Sequence, residues 1–64
     1  MKTYRTESID ESGTHTTVWE SNSLVVCVRS AKRYETARIV RNSDNCVVAE
    51  FVDGSMRNSD LLPE

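Results

Sequence analysis

The amino-acid sequence predicts a small, single-domain protein of mostly β structure. A chain of 64 residues forms one domain at most, and at this length its core is small. Residues 24–28 and residues 46–52 are short apolar runs rich in β-branched side chains, which is typical of buried strands. Asp53-Gly54 follows the second run and favours a tight hairpin, because a type I′ turn needs positive φ at its two central residues.

The chain divides near residues 21–23 into a polar first part and an apolar second part. Residues 1–22 are rich in threonine, and we expect a hairpin or extension with strands in 2–9 and 15–20. Asp10 and Gly13 bound the turn between them, since Gly readily takes positive φ. Residues 23–64 contain nearly all the core candidates. A lone hairpin is marginal in water, so residues 1–22 must pack on this core or stay mobile.

The segment YETARIVR, which begins at Tyr34, follows a basic turn or loop at residues 29–33. As a strand, it would place Ala37 and Ile39 on one face. A helix that puts residues 31, 34, 37 and 40 on one face remains open as an alternative. The β-branched residues of the segment weaken that alternative.

The remaining segments complete a pattern of short strands. Residues 42–45 (NSDN) form a turn, and in the following strand Val47, Ala49 and Phe51 share a face. Residues 56–58 return as a strand, and residues 59–63 form one capped helical turn that Pro63 ends. We therefore expect a small barrel or meander of about five strands with a C-terminal helical turn. Closure into a barrel would remove exposed sheet edges.

The composition excludes several functional classes. The net charge is −2, which fits neither a strongly basic nor a strongly acidic protein. Cys27 and Cys46 are too few for a disulfide framework, so we expect free thiols in a reducing cytoplasm, with a single bridge as the open alternative. The sequence shows neither a signal peptide nor a membrane span.

Catalytic signatures are missing from the sequence. His15 is the single histidine and lies in a threonine-rich stretch that we expect at the surface. One histidine and two separated cysteines do not supply a zinc site, and two glycines cannot build a phosphate-binding loop. The sequence therefore predicts a protein that is not an enzyme and needs no metal or cofactor.

The second part of the chain carries a recognisable succession of residues. Tyr34 opens a strand with Ala37 and Ile39 inward, the block V-x-A-x-F-x-D-G begins at Val47, and D-L-L-P begins at Asp60. In this respect residues 24–64 resemble a Tudor-like, SH3-like small barrel. The resemblance implies a cage of aromatics for methylated lysine or arginine, because a cation is attracted to several π faces. Such a cage would consist of Trp19, Tyr34 and Phe51, with Trp19 supplied by the N-terminal segment.

Protein binding is the function that the sequence favours: a small adapter, regulator or inhibitor that docks on a larger protein as a monomer or a homodimer. Interface energy concentrates in aromatic and similar large anchors, and the candidates are Tyr4, Trp19, Tyr34 and Met56. An exposed Trp19 would favour this hypothesis.

The alternatives are methyl-lysine or methyl-arginine reading and nucleic-acid binding through a basic band. The band consists of Arg29, Lys32, Arg33, Arg38 and Arg41.

Overall fold

Residues 2–59 form one antiparallel sheet with one helix on one side. The computed structural model describes residues 2–59, and the side chains of residues 2–57. The elements are β1 (Tyr4–Ile9), β2 (His15–Ser21), α1 (Leu24–Ala31), β3 (Thr36–Arg41), β4 (Cys46–Val52) and β5 (Ser55–Ser59). The five strands lie in the order β2-β1-β3-β4-β5. The prediction of a mostly β protein with about five short strands is confirmed.

The sheet has two edges in the part of the chain that the structure describes. There β2 pairs only with β1, and β5 pairs only with β4. The predicted closure into a barrel would require these two strands to pair, and residues 2–59 show no such pair. The helical turn predicted at residues 59–63 lies beyond the described residues, apart from Ser59, which ends β5.

The prediction of a strand at residues 24–28 is wrong, because these residues form the first part of α1. Leu24, Cys27, Val28 and Ala31 follow the helical spacing i, i+3, i+4, i+7 and contact the core, whereas Val25 lies on the outer surface. The apolar run is therefore one stripe of an amphipathic helix plus exposed valines. The predicted basic loop is also shorter than expected, since α1 continues to Ala31.

The core lies between α1 and the sheet. Ala37 pairs with Phe51 and Ile39 with Ala49, so these four side chains share the face that α1 covers. The strand interpretation of residues 36–41 is thus confirmed, and the helical alternative is wrong. Val47 was predicted on the same face, but the core contains Val48 instead. The physical reason is a register shift in β3–β4: Ile39 pairs with Ala49 but Val40 pairs with Val47, so Val48 is an additional residue in β4. Strict alternation is therefore interrupted between Val47 and Ala49, and these two side chains do not share a face.

Both predicted hairpins are present. In the β4–β5 hairpin, Asp53 and Gly54 have φ of 53° and 78°, as a type I′ turn requires. In the β1–β2 hairpin, Asp10 Oδ1 accepts hydrogen bonds of 2.9 Å from the amides of Ser12 and Thr14. A hydrogen bond from the Ser12 hydroxyl, together with those amides, lowers the pKa of Asp10. The hairpin packs on the rest of the chain because β1 also pairs with β3.

Substitution of Val25 by Ala tests the helical assignment of this run. Val25 is 59% exposed, and Ala is the better helix former, so Val25→Ala should raise the free energy of unfolding by about 0.5 kcal/mol. A buried strand would give the opposite sign, since truncation would then remove core contacts. Urea unfolding measures the change. Ile39→Val, at a fully buried site, is the reference and should lower stability by about 1 kcal/mol.

Thiol labelling tests the burial of the two cysteines. Both are free, with Cys46 exposed and Cys27 buried, and burial raises the pKa of the Cys27 thiol. A chromogenic disulfide reagent should therefore react rapidly with Cys46 alone in the native protein, and with both thiols in denaturant. In the variant Cys46→Ser the rapid reaction should disappear. Rapid labelling of that variant would show that Cys27 is accessible and contradict the packing of α1.

Candidate protein-binding site

A groove lies between the edge strand β2 and the helix α1. Its walls are Trp19, Val26, Arg29, Ser30 and Arg33, and its volume is about 160 Å³. The indole of Trp19 forms the strand side of this Trp19 groove, and α1 with the turn after it forms the other side. The groove is open to solvent: Trp19 is 51% exposed and Val26 is 36% exposed.

A register shift in β1–β2 determines the side of the sheet on which Trp19 lies. Trp19 pairs with Thr6 and Thr17 with Glu7, so Val18 is an additional residue in β2. Thr6 faces the helix, because its hydroxyl donates a hydrogen bond of 3.1 Å to the carbonyl oxygen of Cys27. Cross-strand partners share a face, so Trp19 also faces the helix side. Strict alternation from Thr17 would have placed it on the opposite side.

The groove combines an apolar surface with positive charge. Trp19 and Val26 supply the apolar part, and Arg29 and Arg33 supply two guanidinium groups. Both arginines are exposed. The three ion pairs found among residues 2–57 involve neither of them. Within this part of the chain, the two charges are therefore available to a ligand.

The four predicted protein-binding residues do not form one patch. Trp19 is exposed on β2, whereas Met56, 41% exposed, lies on β5 at the opposite edge of the sheet. Tyr4 and Tyr34 are partly buried and pack against the core. Sequence reasoning missed Val26, because residues 24–28 were interpreted as a buried strand. The helical spacing of the buried residues in α1 was the signal that could have identified it.

The predicted basic band is divided among different surfaces. Arg29, Lys32 and Arg33 lie at or just after the C-terminal turn of α1. Arg38 Nε instead donates a hydrogen bond of 2.7 Å to Glu7 Oε1. Arg41 and Asp44 form an ion pair of 2.7 Å, which raises the pKa of Arg41 and lowers that of Asp44. The cations therefore do not form a continuous band.

The aromatic residues of the expected cage are differently exposed. Phe51 has no accessible surface and belongs to the core. Tyr34 is partly buried against that core, and Trp19 is exposed in the Trp19 groove. Phe51 offers no π face to a ligand in this conformation, so these residues do not support a cage.

The open face, which is the side of the sheet away from α1, carries a charged network. Glu7 is 8% exposed and accepts hydrogen bonds of 2.9 Å from Arg5 Nε and 2.7 Å from Arg38 Nε. Burial raises the pKa of Glu7, but the hydrogen bonds and charges of the two arginines outweigh it, and the pKa is lowered overall. Arg38 Nη2 also lies 2.8 Å from Nδ1 of His15, which is at the surface as predicted. This network links β1, β2 and β3.

Two other kinds of candidate feature, a metal site and a membrane-spanning helix, are absent from the described part of the chain. Residues 2–59 contain no cluster of three or more His, Cys, Asp or Glu side chains suited to a metal ion. Their single helix is too short to cross a membrane.

Comparisons with protein families, with curated proteins and with solved structures find no match to this chain. A functional proposal therefore depends on the surface itself.

The Glu7 network should make stability depend on pH. Because the folded-state pKa of Glu7 is lowered, its contribution is complete above the unfolded value of about 4.3. It is lost as the pH falls through the folded-state value. Glu7→Gln should lower the free energy of unfolding at neutral pH by roughly 1–3 kcal/mol, and should reduce the loss of stability on acidification.

Urea unfolding at neutral pH and at about pH 3 measures both effects. Glu11→Gln is the matched control, since Glu11 is exposed in the β1–β2 turn. This control should retain the stability and the acid sensitivity of the wild type. An unchanged pH dependence in Glu7→Gln would contradict the proposed role of the network.

Proposed function

We propose that this chain is a non-catalytic protein-binding module, an adapter, regulator or inhibitor that docks on a larger protein through the Trp19 groove. The observation that carries the proposal is the half-exposed indole on an edge strand, beside an exposed valine and two arginines. Tryptophan and arginine are the residues in which interface energy concentrates. Exposed apolar surface with a polar rim is typical of protein interaction sites.

Nucleic-acid binding is the second candidate function. Arg29, Lys32 and Arg33 lie near Trp19, and an indole is a suitable stacking surface for a base. Arg38 and Arg41 already bind carboxylates, and the whole chain has a net charge of −2. These engaged cations favour a protein partner over a phosphate backbone.

An intracellular location fits the cysteine chemistry. Both thiols are free, and Cys46 is exposed. Disulfides form and persist in oxidising compartments, whereas an exposed thiol is stable in a reducing one. We therefore place the module in the cytoplasm as part of the same proposal.

Substitution of Trp19 by Ala tests the proposed function. Trp19→Ala should abolish the capture of a discrete partner from nuclease-treated extract of the native host, because it removes the apolar wall of the groove. Thr17→Ala is the matched control, since Thr17 is exposed on the same strand and pairs with Glu7. This control should capture the partner as the wild type does. Urea unfolding of both variants verifies that they are folded.

Photocrosslinking localises the contact independently. A photoreactive amino acid at Ser30, which lines the groove, should form a covalent adduct with the captured protein, and one at Arg57, which is exposed on β5 at the opposite edge of the sheet, should not. Equal capture by wild type and folded Trp19→Ala would refute the proposal. Recovery of bound material only when nuclease is omitted would favour nucleic-acid binding instead.

A further inference from the structure

The edge strand β2 is open to pairing along its length. It spans His15–Ser21 and has β1 as its only neighbour among the described strands. Its outer N–H and C=O groups therefore have no strand partner there. Natural edge strands are commonly protected by lysine, by proline or by β-bulges. The segment HTTVWES contains neither lysine nor proline, and the additional residue Val18, next to Trp19, is its one irregularity. An edge of this type can accept an additional strand from another protein.

We propose that β2 accepts an extended, acidic segment of the partner protein as an added strand, and that this segment seats one apolar side chain in the Trp19 groove. The inference rests on the proposed function and specifies the chemistry of the partner. Pairing with β2 would supply backbone hydrogen bonds, and the groove would select the side chains.

The position of the groove fits an added strand. A residue directly opposite Trp19 would lie on the helix side, about 4.5–5.5 Å away between Cβ atoms. It could therefore pack between the indole and Val26. Side chains two positions before and after it point to the same side. These are the positions from which carboxylates can reach Arg29 and Arg33, so the expected motif has an apolar residue between two acids.

Charge favours a different protein over a second copy of this chain. Two copies that paired antiparallel through β2 would form one continuous sheet with both helices on the same side, as a two-fold axis requires. Arg29 and Arg33 of each copy line the groove next to β2, so four guanidinium groups would face the same seam. Glu20 is the only acid in β2, and it pairs with Arg5, on the opposite side from Trp19. Like charges would therefore oppose the homodimer.

Trp19 is the only tryptophan of the chain, so its fluorescence reports directly on the groove. The probes are synthetic extended peptides with a central Glu-Thr-Leu-Thr-Glu sequence, and the same peptides with Gln for both Glu. The acidic peptide should shift the Trp19 emission to shorter wavelength and bind about tenfold more tightly than the amide peptide. The difference should shrink in high salt.

Two further comparisons separate the backbone contribution from the charge contribution. Methylation of alternate backbone nitrogens of the acidic peptide should weaken its binding at least tenfold, because it removes donors to the edge of β2. The double variant R29E/R33E should also lose binding of the acidic peptide. K2E/R57E is the matched control, since it makes the same charge change at exposed positions away from the groove. It should bind within about twofold of the wild type.

Several results would overturn the inference. These are equal binding of the acidic and amide peptides, no effect of backbone methylation, or a Trp19 response to single-stranded oligothymidylate but to neither peptide. Self-association of the free chain that depends on Trp19 would assign the edge to a second copy. If the peptides fail while capture of the native partner still depends on Trp19, the acidic-strand inference falls and the protein-binding proposal stands.

Discussion

The contact between α1 and β1 is the constraint on which the rest of the structure depends. An isolated helix of eight residues is not stable in water, so α1 exists because it packs on the sheet. Cys27 and Ala31 are completely buried against it, and the hydroxyl of Thr6 binds the carbonyl oxygen of Cys27. This contact fixes the height and the rotation of the helix. It therefore determines that Val26 and Arg29 face outward beside β2, where they form the Trp19 groove.

The sequence predicted the turns and the sheet strands well because their signals are local. Asp53-Gly54 and the segment from Asp10 to Gly13 favour particular φ values, and the structure has positive φ at Gly13, Asp53 and Gly54. Alternation in β3 likewise identified Ala37 and Ile39. The run at residues 24–28 failed because five apolar residues fit a buried strand and one stripe of a helix equally well. β-branched composition favoured the strand, and tertiary packing decided for the helix.

The candidate site could be predicted only in part, because it depends on relations between distant segments. Trp19 stood out as a large aromatic in a polar stretch, but no local pattern places it opposite Val26 and Arg33. The basic band failed for the same reason: Arg38 and Arg41 are close in sequence to Arg33, yet each binds a carboxylate elsewhere. The two sides of the sheet thus differ in character. On the open face Arg5 and Arg38 share the carboxylate of Glu7, whereas Arg29 and Arg33 beside α1 have no such partner among the described residues.

The additional residue in β2 has a consequence for how such a surface could arise or be lost. Val18 interrupts the alternation of the strand, so Thr17 and Trp19 lie on opposite sides of the sheet although they are two residues apart. A regular ladder of the same length would pair Val18 with Thr6 and Trp19 with Arg5, and the indole would then lie on the side of Glu7, with no groove and no helix next to it. A slip of one residue in this pairing would thus exchange the whole recognition surface at once, while the hairpin and the core kept their composition.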